Sequence, residues 1–426
     1  MSGSRMIFPN EVWLEIADIL EHNDDKKTLA TLARCNKNLL RVITKPLYRR
    51  FIVKATEKEE EKKAGSQSVA LFHSAILKNP RLRREVQEIS IGHFTDIVRG
   101  QHVWITMVVK DLIIRLSNVT SIHLNLTSDA GFTGMSFGPW KNRSANNRLG
   151  ELKEVSLEYG KTYGGLHQFS SCGLLNGVAP GIKRLTLRKR TVFPTGFDHH
   201  EVRRWDNDPS ENPYIPHNLD YLPGDILPAL EGLQELTLNF NYVGHWSDYV
   251  LAQHCTGLKT LTYTRGDTWL VENWAKQADT WDLYIKWTRL NKVTNIVDFT
   301  LNSLEALENL TISQDAIDYG RMQNGIDKGD LDGFLPLSLK TLRIVDFKNS
   351  FTAGIKHFAS TFRSEGYTNL EVVELDHTCS VCSMEDESMD EDEPMKEDER
   401  DLIVELFAAA DVKCTFIESG PSPWLR

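Results

Sequence analysis

Leu339-Lys340-Thr341-Leu342-Arg343-Ile344 is the stretch that decides the fold of this chain. Its first, fourth and sixth residues are apolar, and the same six-residue unit occurs nine times along the sequence. The starts of successive units are separated by 33, 33, 30, 51, 25, 49, 32 and 31 residues. The apolar positions of the nine units are Val86/Ile89/Ile91, Val119/Ile122/Leu124, Leu152/Val155/Leu157, Ile182/Leu185/Leu187, Leu233/Leu236/Leu238, Leu258/Leu261/Tyr263, Leu307/Leu310/Ile312, Leu339/Leu342/Ile344 and Leu370/Val373/Leu375.

Each unit predicts one strand followed by one helix. Alternating apolar residues indicate a strand with one buried face, and most of the spacings leave room for a strand, a helix and two turns. Helix-like stretches lie between the units at residues 103–116, 247–254 and 353–362. One unit cannot bury its own apolar side chains, so neighbouring units must stack. The sequence therefore predicts an α/β fold.

The repeat resembles leucine-rich repeats. That resemblance implies an irregular solenoid, with parallel strands on its concave wall and helices on its convex wall. We expect it to occupy residues 83–420. Two spacings are too long for simple turns, which predicts insertions at 189–224 and 264–303. An acidic loop is predicted at 383–400.

A second signal comes from the N-terminal residues 8–49, which form a short helical segment. It opens with Phe8-Pro9-Asn10-Glu11-Val12 and closes with Pro46-Leu47-Tyr48-Arg49. The first helix is apolar nearly all round, so it needs neighbours on two sides. Three short helices of about 50 residues make only a marginal core. The excess apolar surface predicts a protein partner, although packing against the rest of the chain is the alternative.

This segment resembles an F-box of the fungal type. The resemblance rests on Pro9-x-Glu11-Val12, on Leu29-Ala30-x-Leu32-Ala33-Arg34-Cys35 and on Pro46-Leu47-Tyr48-Arg49. Phe8 stands where family members usually have Leu. The resemblance implies that a three-helix F-box at residues 1–54, followed by a helical connector and cap at 55–82, binds a Skp-type adaptor and through it a cullin-RING ligase. The implied adaptor contacts are Phe8, Pro9, Val12, Ile16, Leu20, Leu29, Leu32, Leu39, Pro46 and Leu47.

Composition bounds the location and the partners. The chain of 426 residues is 41% hydrophobic, which is ample for a folded core. It has no basic start followed by an apolar stretch and no run of about 18 apolar residues, so we expect neither secretion nor a membrane span. A cytoplasmic or nuclear location follows. Six cysteines in such a chain are typical of reduced thiols.

The net charge of −10 is concentrated in one place. Residues 385–399 hold ten acidic side chains against Lys396 alone, which gives −9 and leaves the remainder near −1. No basic field is present to attract nucleic acid, so no nucleic-acid partner is expected. Ser383 and Ser388 precede acidic residues and are candidates for phosphorylation.

Two motifs resemble a catalytic site or a metal site but lack neighbouring features that such sites need. Gly134-Met135-Ser136-Phe137-Gly138 matches the nucleophile elbow of hydrolases, but no buried strand precedes it and Pro139 follows at once. His377, Cys379 and Cys382 lack the second ligand pair of a structural zinc site. We therefore expect no enzyme activity, no cofactor and no metal. The alternative from another functional class is a hydrolase that uses Ser136 as its nucleophile.

The polar residues between the apolar positions of each strand should form the target-binding face, because side chains alternate between the two faces of a sheet. Arg184 and Arg188 could clamp a phosphate or an acidic segment. Glu154 and Glu158 on the preceding strand offer the alternative of ion pairs. The candidate residues for an unknown protein substrate are His123, Glu154, Arg184, Arg188, Thr237, Asn239, Thr262 and Arg343.

Together the two resemblances imply the substrate-recognition subunit of an SCF ubiquitin ligase, which performs no bond chemistry itself. The alternative is a protein-interaction scaffold, bound to a Skp adaptor or free, without a role in ubiquitination.

Overall fold

The computed structural model describes residues 8–54, 56, 58–92, 108–109, 111–113, 115–126, 150–159, 181–189, 230–240, 255–265, 301–314, 317, 331, 333–345, 347, 349–376 and 395–417. They fall into two compact units that divide within one strand. Of the described residues, the first unit contains those up to Leu157 together with Gly181, and the second contains residues 158–159 and those from 182 to 417. The predicted helix at 247–254, and most of both predicted insertions, lie outside the described residues.

Three helices open the first unit: α1 (Asn10–His22), α2 (Lys26–Cys35) and α3 (Lys37–Arg49). Polar side chains cap two of them, since Asp25 accepts a hydrogen bond from Thr28 N and Asn36 accepts from Leu39 N. The helices share a core of small and aliphatic side chains. Its members are Ala17, Leu29, Ala33, Leu39 and Ile43.

A strand follows α3 without a connecting loop. This strand, β1 (Arg50–Val53), pairs in parallel with β2 (Glu88–Ile91), and β2 pairs with β3 (Ser121–Leu126). The strand β4 (Glu154–Tyr159) begins beside β3, where Lys153 N and Glu154 N donate to Thr120 O. The helical segment is therefore continuous with the first strand of the sheet.

The connection from β1 to β2 consists of a long helix, α4 (Glu59–Lys78), and a 3-10 helix (Pro80–Arg84). Val69 and Ile76 of α4 are fully buried. The ring of Phe72 stacks on Phe51 of β1 with centroids 3.9 Å apart. The next connection is also partly helical, because the described residues between 108 and 115 have helical conformation.

Among the described residues, the second unit contains seven complete parallel strands that pair in chain order, each with the next. Their apolar residues lie in register. One such row passes from Leu236 through Leu261, Leu310, Leu342 and Val373, and all are buried. The strands are β5 (Arg184–Lys189), β6 (Glu235–Phe240), β7 (Thr260–Arg265), β8 (Asn309–Ser313), β9 (Thr341–Val345), β10 (Val372–Asp376) and β11 (Lys413–Ile417).

Two helices separate the last three strands: α5 (Thr352–Thr361) and α6 (Glu397–Ala408). A cluster of aromatic rings joins them. The ring centroid of Phe358 lies 5.7 Å from that of Phe362, 5.3 Å from Tyr367 and 6.3 Å from Phe407 on α6. The Tyr367 hydroxyl donates to Leu335 O at 3.1 Å, so its burial leaves no unpaired polar atom.

The prediction of an α/β fold with parallel strands is confirmed, and all nine predicted units contain a strand. The structure differs from the prediction at the acidic loop, because residues 397–400 form the first turn of α6. Glu397, Asp398 and Glu399 stand at the positive end of that helix, where carboxylates are favourable. Residues 383–394 lie outside the described residues.

Candidate interaction surfaces

The helical segment exposes large apolar side chains although it has a core of its own. Phe8 is 48% exposed, Leu14 40%, Ile19 55% and Leu40 48%. The ring of Phe8 packs edge-on against Trp13, with centroids 5.7 Å apart. These exposed aliphatic and aromatic groups make the helical segment a candidate for contact with another protein.

The ten predicted adaptor contacts have different environments. Phe8 and Pro9 are exposed, whereas Val12 and Ile16 are half-buried and do not belong to the core of the segment. Leu20, Leu32 and Leu47 are half-buried and pack against that core. The remaining three, which are Leu29, Leu39 and Pro46, are buried.

Burial gives these residues separate physical roles. Leu29 is 0% exposed and Leu39 is 7% exposed, so both hold the three helices together. The accessible part of the predicted set is the N-terminal end of α1, from Phe8 to Ile16.

The outer side of α1 adds residues that the family resemblance did not supply. Leu14 and Ile19 line a shallow groove together with acidic and polar neighbours. Helical spacing accounts for Ile19, which lies two residues beyond the core residue Ala17 and therefore on the opposite side of α1. The other groove residues are Glu11, Glu15, Asp18, His22 and Asn23.

A charged cluster joins the helical segment to the sheet of the first unit. Arg49 Nη1 lies 2.9 Å from Glu21 Oε2 and 3.4 Å from Asp18 Oδ1. Arg50 Nε lies 2.8 Å from Glu88 Oε2 on β2. The Lys26 ammonium donates to Arg50 O. These contacts link α1, α2 and α3 to the β1–β2 pair.

Burial shifts the pKa of two groups in this cluster. It raises the pKa of Glu21, an effect that the Arg49 charge opposes only in part. It also lowers the pKa of Lys26, with Asp24 acting in the opposite direction. Both shifts disfavour the charged form, as expected where water is displaced.

The polar face of the second unit is built from the residues that alternate with its buried row. Thr186, Thr237, Thr262 and Thr311 lie directly opposite one another on β5 to β8. The same row continues to Arg343 and Glu374, so the predicted residues Thr237, Thr262 and Arg343 share one row. Asn239 lies two residues further along β6 and donates to Thr264 Oγ1 at 3.1 Å.

The described arginines of this face are already engaged in interactions. Arg343 Nη2 lies 2.6 Å from Asp376 Oδ2, and Arg343 Nη1 lies 3.9 Å from Glu374 Oε2. Arg184 is exposed and Arg188 is half-buried on β5, and neither is free of interactions. A phosphate clamp at these arginines would therefore have to displace existing contacts.

The predicted residues His123 and Glu154 belong to the first unit and are not grouped with those on β5 to β9. The Ser121 hydroxyl lies 2.7 Å from His123 Nε2. Glu154 is half-buried and, like Glu158, already engaged in interactions.

Metal-ligand clusters and cysteine thiols are two kinds of reactive group that could occur among the described residues. Within them, no three His, Cys, Asp or Glu side chains converge to hold a metal ion. Burial raises the pKa of the Cys255 and Cys414 thiols to about 12, which disfavours the nucleophilic thiolate. Ser136, His377, Cys379 and Cys382 lie outside the described residues.

Among the residues that the structure describes, no helix combines the length and hydropathy needed to cross a bilayer. No protein-family model matches the sequence. A search of curated proteins likewise finds none that matches. The likeness to F-box and leucine-rich-repeat proteins therefore rests on the helical segment and on the repeat themselves.

Proposed function

We propose that this protein is the substrate-recognition subunit of an SCF ubiquitin ligase. The helical segment binds a Skp-type adaptor, which connects the chain to a cullin-RING ligase. The polar sheet faces bind a target protein. The chain itself makes and breaks no covalent bond.

The observation that carries this proposal is the combination of a closed core and an apolar exterior in residues 8–49. Ala17, Leu29 and Ile43 are each 0% exposed, so the core of the three helices is closed without their outer residues. Phe8 and Ile19 nevertheless remain about half exposed. A partner that covers them would remove apolar surface worth about 25 cal/mol per Å².

The direct passage from α3 into β1 supports a scaffold role. No flexible linker separates the adaptor-binding helices from the first strand, and the Arg50–Glu88 ion pair crosses to the second strand. Holding a target in a fixed place beside an activated ubiquitin raises the effective concentration of its lysines. Catalysis by proximity needs no reactive side chain on this chain.

A protein that binds the adaptor but works outside ubiquitination is the alternative. Co-purification from cells separates the two functions. Recovery of both the Skp-type adaptor and a cullin with the tagged full chain supports the ligase subunit. Recovery of the adaptor without cullin supports the alternative, and the site of action, cytoplasm or nucleus, follows from imaging the same tagged chain.

A further inference from the structure

The central row of the second unit's polar face is uncharged across four neighbouring strands. Thr186, Thr237, Thr262 and Thr311 lie in register and are all half-buried. Strands about 4.8 Å apart make this row about 14 Å long. None of the four hydroxyls forms a hydrogen bond with another residue that the structure describes.

A hydroxyl can both donate and accept a hydrogen bond. A row of them therefore complements peptide amides and uncharged polar side chains. A carboxylate or phosphate would lose hydration here without meeting an unpaired cation among the described residues of the row. Arg343, the next member of the row, is already paired with Asp376 and Glu374.

At one end of the row lie two buried atoms that have no hydrogen-bond partner among the described residues. Asp376 lies two residues beyond Glu374 on β10, hence on the same sheet face, and is only 4% exposed. Its Oδ2 pairs with Arg343, but its Oδ1 accepts no hydrogen bond from a described residue, and Arg343 Nε donates none. Buried polar atoms without partners are rare and unfavourable.

These two atoms require different hydrogen-bonding groups from a ligand. Asp376 Oδ1 needs a donor, and Arg343 Nε needs an acceptor. An amide supplies both through its N–H and its C=O. A lone cation or a lone anion would satisfy only one of them.

We infer that the target segment bound by this face is an uncharged, extended polypeptide stretch that crosses β5 to β8 and places an amide at Arg343 and Asp376. The inference rests on the proposed function, which assigns the polar face to target binding. It names the class of target: recognition depends on hydrogen bonds to an uncharged segment and requires neither phosphorylation nor an acidic motif.

Selection from a phage-displayed library of random 12-residue peptides on the immobilised full chain tests this inference. We expect the wild-type protein to enrich uncharged peptides rich in Ser, Thr, Asn and Gln. The double variant Thr237→Val/Thr262→Val keeps the side-chain shape without the hydroxyls and should lose at least about tenfold of the binding to those peptides, which is about 1.4 kcal/mol. Thr237→Ser/Thr262→Ser should retain it.

Enrichment of charged peptides, equal binding by the Val variant, or no enrichment at all would overturn the inference. Thr311→Val, one strand further along the row, provides a second variant should the double variant fail to fold. Adaptor binding is measured on the same preparations. Failed peptide selection with intact adaptor binding contradicts this inference alone, whereas failed adaptor binding contradicts the proposed function.

Discussion

Arg49 Nη1 lies 2.9 Å from Glu21 Oε2, and this contact joins the last turn of α3 to the last turn of α1. The Glu21 side chain is only 5% exposed. Neither of its oxygens accepts a well-aligned hydrogen bond from a described residue. The ion pair with Arg49 therefore replaces only part of the hydration that the buried Glu21 carboxylate loses.

The buried Glu21 carboxylate predicts a specific pH dependence of stability. Burial raises its pKa above the ordinary value of 4.5, so the folded state binds this proton more tightly than the unfolded state. The contribution of Glu21 is most favourable below pH 4.5 and declines as pH rises through the raised folded pKa. Glu21→Gln should therefore gain stability relative to the wild type as pH rises through this range.

Urea unfolding of both proteins at several pH values between 4 and 8 measures this difference. Glu15→Gln, an exposed position on the same helix, shows the effect of removing a carboxylate without burial. A Glu21→Gln variant whose stability relative to the wild type falls as pH rises would show that the Arg49 ion pair outweighs the burial.

Gly65 of α4 lies close against Val53 of β1. A Cβ at this position would lie 2.8 Å from Val53 Cγ1, and Val53 is a stiff, buried side chain. We expect Gly65→Ala to lower the free energy of unfolding by about 1 to 3 kcal/mol, although alanine favours a helix by about 1 kcal/mol over glycine.

Denaturant melts of a double-mutant cycle check the cause. Val53→Ala removes the methyl group that the new Cβ would meet, so the double variant should lose less stability than the two single variants together. Additive losses would show that the destabilisation by Gly65→Ala does not arise from contact with Val53.

The three cysteines of the described residues should differ in reactivity. Cys35 is exposed, while Cys255 and Cys414 are buried with a pKa of about 12. At pH 8 such thiols are ionised in roughly one molecule in ten thousand. Brief treatment of the native protein with iodoacetamide, followed by peptide mass spectrometry, should find Cys35 modified and the other two protected.

Modification in urea is the matched control, since it should reach all three. Labelling of Cys255 or Cys414 as fast as Cys35 in the native protein would contradict their burial.

The strand positions could be predicted because each described unit repeats one burial pattern. The nine predicted units do not include the strands β1 and β11, and the reason differs between the two. Tyr48, Phe51 and Val53 have the spacing of a unit, but Tyr48 belongs to α3 and the strand begins without a turn. Before β11, Asp411 stands in the left-handed region with φ 60°, where the repeat would have an apolar residue.

The burial of the residues in the proposed adaptor surface could be predicted only in part. Sequence similarity gives the residue types of the family but not the side on which each one lies. Leu29 and Leu39 belong to the core of the helical segment, whereas Leu14, Ile19 and Leu40 are exposed. Which leucine turns inward is decided by how α2 and α3 pack, and that depends on the crossing of the helices.

Titration of a purified Skp-type adaptor into the full chain by isothermal calorimetry tests the central claim most directly. We predict one-to-one binding, weakened at least about tenfold, or 1.4 kcal/mol, by Phe8→Asp/Val12→Asp. The control Leu71→Asp changes a residue that is 65% exposed on α4 and should bind like the wild type. No binding by the wild-type chain, or equal binding by the Phe8→Asp/Val12→Asp variant, would contradict the account.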